Sequence, residues 1–197
     1  MYALADGNNF FVSCERVFQP KYDGQPTLVL SNNDGCVIAR SAEVKALGIA
    51  MGIPFFKVRE LCEKEKVKVF SSNFRLYGDM SNRMRSVLSE GALDLHPYSI
   101  DEAFLDLGNA PLPALEDDMK ELRKKVKQLT GLPVSIGIAP TKTLAKAANQ
   151  YAKKYPETNG VYTFHEGNRE RLLEEMLVGD LWGIGHNLER TLEEMGI

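Results

Sequence analysis

The sequence predicts an α+β fold in which a split βαβ sheet, with helices on one face, carries a small inserted α/β lobe and ends in a helical tail. Three observations point there. Short apolar runs alternate with longer segments of helical period, in the order strand, lobe, helix, two strands, helix, strand, helix. The stretch from Phe11 to about Ser72 has hairpin and helix signals of its own and separates the first strand from the rest. Lys154-Tyr-Pro-Glu-Thr-Asn-Gly160 reads as a linker into the tail.

Each element has a local cause. Tyr2 to Asp6 is a short buried strand that Gly7 breaks where the first acid appears. Thr27 to Leu30 and Cys36 to Ala39 flank Ser31-Asn-Asn-Asp-Gly35, a hairpin loop by composition, and Ser41 caps a helix through Leu47 that Gly48 stops. From Asp79, Met80, Met84, Val87 and Leu88 recur at helical spacing up to Gly91. Strands follow around His96 to Ile100 and Ala103 to Leu107. Leu115, Met119, Leu122, Val126 and Leu129 then share one helix face, which Thr130-Gly-Leu-Pro133 ends. Val134 to Ala139 is the next strand, and Thr141 caps a helix through Lys154.

With 197 residues, 44% of them hydrophobic, the chain is long enough to bury a core. Cys14, Cys36 and Cys62 are odd in number and fit neither a zinc site nor a disulfide framework, so reduced thiols are expected. No apolar run approaches a bilayer span and no basic flank precedes the N-terminal stretch, which predicts a soluble, cytoplasmic protein with no membrane partner. A net charge of -3 does not announce a nucleic-acid binder. The total conceals a split: Lys120 to Lys154 holds nine basic residues against one acid, and Tyr155 to Ile197 three against nine. Such a split suits one face turned to phosphate, although charge runs are more often solvated helix faces.

Tyr98-Ser-Ile-Asp-Glu-Ala-Phe104 sets two adjacent carboxylates among apolar neighbours, where unpaired charge is costly. Asp6 ends the first strand in a comparable setting, beside Asp101 in the proposed sheet. Carboxylates converging without histidine or cysteine favour a hard, oxygen-seeking cation such as magnesium. Two such ions would clamp a phosphoryl transfer. On a flat strand, adjacent Asp101 and Glu102 point to opposite faces unless the hairpin bends, so Asp101 is the bridging candidate and Glu102 the secondary one. An isolated Asp-Glu pair would more often cap a turn.

Asp6-Gly-Asn-Asn-Phe-Phe-Val-Ser-Cys-Glu15, the Tyr98 to Phe104 motif and Ile138-Ala-Pro-Thr-Lys-Thr-Leu-Ala-Lys-Ala-Ala-Asn149 resemble, in order and spacing, the signatures of Y-family translesion DNA polymerases. Ser31 to Gly48 is similar to the UmuC-like members. The resemblance covers essentially the whole chain. It implies a ferredoxin-like palm at 1–10 and 73–160, fingers at 11–72, and a partial thumb with a helix-hairpin-helix at 161–197. The family continues into a little finger absent here, which implies an N-terminal fragment.

The resemblance further implies that Asp6, Asp101 and Glu102 are catalytic and, with the Gly7 carbonyl, hold two Mg2+ ions. Phe10 and Phe11 would lie at the nucleotide, with Phe11 the steric gate that leaves no room for a 2'-hydroxyl; without the acidic motifs Phe11 would read as a plain core aromatic beside Phe10. Lys45 and Lys153 match residues that hold the incoming triphosphate, with Arg40 a further candidate, because Ala42 stands where many members have a tyrosine. Lys142 and Lys146, four apart on one helix face, are DNA phosphate contacts or simply solvated lysines. Gly183 and Gly185 would let backbone amides approach a DNA phosphate. Implied partners are template-primer DNA, a deoxynucleoside triphosphate, a UmuD-like subunit and a sliding clamp, in replication past DNA damage (the SOS response). Two alternatives remain: a catalytically incompetent DNA- or partner-binding module, and a nucleotide cyclase, which would leave the helix-hairpin-helix unexplained.

Overall fold

The computed structural model describes residues 1–109 and 111–196; Ala110 and Ile197, the last residue of the expected thumb, lie outside the described residues. In chain order the elements are β1 (Tyr2–Gly7), α1 (Phe10–Phe18), β2 (Thr27–Leu30), β3 (Val37–Arg40), α2 (Ala42–Ala46), α3 (Arg59–Lys64), β4 (Lys68–Ser71) and α4 (Phe74–Leu88). They continue with β5 (Asp94–Pro97), β6 (Glu102–Asp106), α5 (Leu112–Thr130), β7 (Val134–Ala139), α6 (Lys142–Lys154), β8 (Val161–Thr163), α7 (Arg169–Glu174) and α8 (His186–Glu194). The chain divides into two compact units, Met1–Asp6 with Arg85–Val126 and Val134–Ile197, and Gly7–Met84 with Lys127–Pro133.

The first unit holds a sheet of order β5-β6-β1-β7-β8. Taken as strands one to four, β1, β5, β6 and β7 give the order 2-3-1-4, which is the split βαβ arrangement the element order predicts. Strand β8, parallel to β7, extends that sheet where a linker and tail were expected. At three residues it is too short to show alternation. The expected linker is a tight turn, in which the Thr158 hydroxyl donates to the Tyr155 carbonyl at 2.7 Å.

Helix α6 lies directly on the sheet because of one glycine. A Cβ at Gly137 on β7 would come within 2.1 Å of the Asn149 amide nitrogen and 2.4 Å of the Ala145 carbonyl oxygen. The facing turns of α6 are accordingly alanine, with Ala145, Ala147 and Ala148 buried beside Leu4 and Phe104. Asn149 locks the contact: its buried amide donates to the Leu4 carbonyl at 3.1 Å and the Ser135 carbonyl at 2.7 Å. Helix α6 begins where its cap predicts, with the Thr141 hydroxyl accepting from the Leu144 amide.

Along α5, Leu115, Met119, Leu122 and Val126 are buried as their spacing predicts. Leu129, expected on the same face, is 59% exposed, and Thr130 is the buried side chain of the last turn. From Lys127 that turn groups with the other unit, so the apolar stripe does not extend along it.

The second unit builds a sheet of order β3-β2-β4, with β2 antiparallel to β3 and parallel to β4. Its core includes Leu28, Leu30, Val37, Val44, Ile49 and Cys62. The Ser41 hydroxyl caps α2 by accepting from the Val44 amide, and Gly48, at φ +76°, ends the turn after it. Strand β3 starts one residue later than expected. Helix α4 starts at Phe74, before the apolar repeat from Asp79 becomes visible. Its Tyr77 is fully buried and donates its hydroxyl to Glu15 on α1 at 2.8 Å, and burial pushes that phenol well above its ordinary pKa. Among the described residues no helix is long and apolar enough to cross a membrane.

Candidate active site

The first unit brings Asp6, Asp101 and Glu102 to one end of its sheet. Asp6, the penultimate residue of β1, pairs in antiparallel register with Glu102, the first residue of β6, so the two side chains leave the same face of the sheet. The β5–β6 hairpin bends just before Glu102, and Asp101 lies in that bend instead of on the strand. The alternation that would set adjacent side chains on opposite faces therefore does not govern this pair.

Ser99 shapes the bend. Its hydroxyl donates to Asp101 Oδ1 at 2.6 Å and accepts from the Glu102 amide at 3.0 Å. Its carbonyl accepts from Arg85 at 2.5 Å. No sequence reading singled out Ser99, although a serine two residues before an aspartate is a turn signal.

Burial raises the pKa of Asp6 to about 6; Lys153 opposes that rise, and Glu102 and Asp101 add to it. Both neighbouring carboxylates thus bear on Asp6. Two lysines of α6, seven residues apart and so on one helix face, supply the counter-charge. Lys153 Nζ lies 2.5 Å from Asp6, and Lys146 Nζ 2.6 Å from Glu102. Among the described residues no three His, Cys, Asp or Glu side chains are grouped tightly enough to hold a metal ion, because each carboxylate turns to its own partner. The donor chemistry nevertheless fits a hard cation. Every candidate donor is oxygen, and Asp6 keeps a raised pKa although Lys153 is in contact.

The other sequence candidates of this unit fall close by or in the tail. Lys142 stands over the rings of Tyr2 and Phe104, 5.6 and 5.3 Å from their centroids. Gly183, at φ +98°, forms the hairpin before α8, and Gly185 is the N-cap of that helix. A Cβ at Gly185 would meet open space and its φ is -92°, so neither backbone nor packing demands glycine there. Trp182, which sequence reasoning passed over, packs on Tyr98 and Phe104.

In the second unit, Gly7 is required by a neighbour: a Cβ there would lie 2.7 Å from Phe10 Cδ2. Phe10, expected with Phe11 at the nucleotide, is 3% exposed and is a core residue. Phe11 stacks on Tyr77 at 4.5 Å and meets Phe74 edge-on at 5.6 Å. That platform holds its ring in one orientation. Lys45 donates to Asn9 Oδ1 at 2.7 Å, and Asn9 takes the left-handed φ of 48° at the start of α1. Arg40 reaches back to the Ile49 carbonyl at 2.5 Å, which ties it to its own lobe.

The chain matches the model of the impB/mucB/samB family over residues 5–150. It is 49% identical to protein ImpB of Salmonella typhimurium and to protein UmuC of Salmonella typhimurium strain LT2, covering 100% of this chain and 47% of each relative. To DNA polymerase IV 2 of Mesorhizobium japonicum it is 33% identical over 98% of the chain and 45% of the relative. The chain thus spans about half the length of the curated relatives it matches. Among solved structures, a Dbh ternary complex superposes with a TM-score of 0.87 at 28% identity, covering the whole chain and 57% of that protein. DinB from Sulfolobus solfataricus superposes at 0.86 and 27%, over 100% of this chain and 57% of that one. A Y-family DNA polymerase chimera superposes at 0.83 and 27%, over 100% and 58%. By sequence this chain belongs to the impB/mucB/samB family, and its fold is that of the Y-family DNA polymerases.

Proposed function

We propose that the chain is the metal- and nucleotide-binding part of a template-directed DNA polymerase that copies damaged templates by adding deoxynucleotides to a primer 3'-hydroxyl. One observation carries the reading: Asp6 and Glu102 are register partners on one sheet face with Asp101 in the adjoining bend, in a chain whose relatives include a DNA polymerase IV. Asp6, Asp101, Glu102 and the Gly7 carbonyl would hold two Mg2+ ions. When bound, these supply charge neutralisation at the attacking and leaving oxygens. Lys153 and Lys45 would carry the triphosphate, and the Phe11 ring, fixed by Tyr77, would exclude a 2'-hydroxyl. Lys142 and the amides near Gly183 and Gly185 would meet DNA phosphate. Residues 1–10 and 73–160 serve as palm, 11–72 as fingers and 161–197 as part of a thumb. The likeness to UmuC motivates a UmuD-like subunit, a sliding clamp and a place in the response to DNA damage.

Calorimetric titration of a deoxynucleoside triphosphate tests this reading, with magnesium, with EDTA, and in Asp6→Ala. Binding that needs both metal and Asp6 is expected; binding indifferent to both would sink it. In the polymerase of full length, Asp101→Ala abolishes primer extension. The lysine-paired carboxylates favour one rival, a module that binds nucleic acid without catalysis. Template-primer affinity unaffected by magnesium and nucleotide would select it.

A further inference from the structure

Trp182 is the sole tryptophan of the chain and directly precedes the Gly183-Ile-Gly185 hairpin. Its indole N–H donates to the Tyr98 hydroxyl at 2.9 Å, with the rings edge to face at 5.3 Å. Tyr98 opens the bend that carries Asp101. Over the Tyr98 ring, 5.0 Å from its centroid, stands the Lys146 ammonium, the same group that contacts Glu102 at 2.6 Å. Contacts therefore run without a gap from the tail hairpin to a carboxylate of the site. Apolar burial alone does not explain them: Trp182 is 38% and Tyr98 46% exposed. Any large apolar side chain would cover Phe104, but fixing the Tyr98 hydroxyl takes a hydrogen-bonding group, which the indole N–H supplies.

We propose that Trp182 is a positioning residue: it holds the Tyr98 ring that seats Lys146, and through Lys146 it sets where the Glu102 carboxylate is held. A charge change at Glu102 is then felt at the hairpin, and a ligand at the hairpin is felt at Glu102, because coupling of this kind is reciprocal. Its importance for nucleotide binding rests on the reading of Glu102 given above. The physical link does not.

The tryptophan is its own reporter. In this chain without metal, Glu102→Gln removes the charge that holds Lys146. Trp182 emission should shift to the red and acrylamide quenching should quicken. In a Lys146→Met background, where the link is already cut, Glu102→Gln should leave the emission unchanged, and Tyr98→Phe should diminish the response by loosening the indole. Circular dichroism confirms that each variant is folded. Lys124→Met, whose ammonium meets Glu121 instead, serves as control and should leave the emission unchanged. Identical emission with and without Glu102→Gln, or a shift of equal size in the Lys146→Met background, overturns the proposal. Titration with Mg2+ alone then separates the two claims. Heat of binding with a parallel change in emission supports both. Heat with silent emission refutes the link while keeping the metal site. No heat, with the Glu102→Gln effect intact, refutes the metal site and leaves the link standing.

Discussion

Asn149 shows how a single side chain can join elements that no local signal connects. Its amide is buried and donates to carbonyls of two strands, so truncation removes two hydrogen bonds from a buried contact. Asn149→Ala should destabilise the chain by about 1–3 kcal/mol, read as a lower urea midpoint at unchanged slope; an unchanged midpoint would mean that water replaces the amide. Ser99 is a second such residue, acting on function more than on stability. Its hydroxyl fixes Asp101 Oδ1, and Ser99→Ala should weaken magnesium-dependent nucleotide binding by roughly fivefold, equivalent to about 1 kcal/mol, with the fold intact by circular dichroism. Calorimetry checks it. The carboxylates were legible in the sequence because acids flanked by apolar residues stand out. Ser99, a short-range turn residue, drew no notice, and the role of Trp182 and the pairing of Lys153 with Asp6 and of Lys146 with Glu102 were not legible, because they arise from contacts between residues far apart in the chain. Phe10 and Phe11 are adjacent and chemically identical, and only packing separates the core ring from the one stacked on Tyr77.

Among the elements, α6 and β7 were legible nearly to the residue, since a strand of six buried residues, a threonine cap and an alanine-rich face each point the same way. Helix α6 also carries Lys146 and Lys153 to the carboxylates, so its N-terminal anchoring matters beyond its own stability. Thr141→Ala should cost about 1 kcal/mol, and Thr141→Ser should restore most of it, as thermal or urea unfolding would show; equal loss in both variants would assign the effect to packing. Strand β8 lay beyond reach because its pairing with β7 is decided by tertiary contact. The same holds for α4, whose first turn packs Phe74 and Tyr77 on Phe11. Those aromatic residues signal burial without signalling helix.

For the whole molecule, the charge split between Lys120–Lys154 and the tail suggested a basic face, and the structure largely dissolves it. Lys120, Lys124, Lys125, Lys146 and Lys153 each meet a carboxylate within 2.7 Å. Four of those acids, Glu116, Glu90, Glu102 and Asp6, lie outside the basic stretch, which is why the linear count missed them. Arg123 and Lys127 donate to backbone carbonyls. Lys142 and Lys154 remain, held over aromatic rings with no carboxylate in salt-bridge range among the described residues. If only these two neutralise phosphate, the affinity of this chain for duplex DNA should fall with salt at a logarithmic slope of about -2. A slope near -7, by the same relation, would require the whole basic surplus to act together. Fluorescence anisotropy of a labelled duplex over a salt series decides between them. Lys142→Gln should flatten the shallow slope by roughly one unit. A steep slope, of which Lys142→Gln removes only about one unit in seven, would mean that the paired lysines, Lys146 of Glu102 and Lys153 of Asp6 among them, exchange their carboxylates for phosphate when DNA arrives.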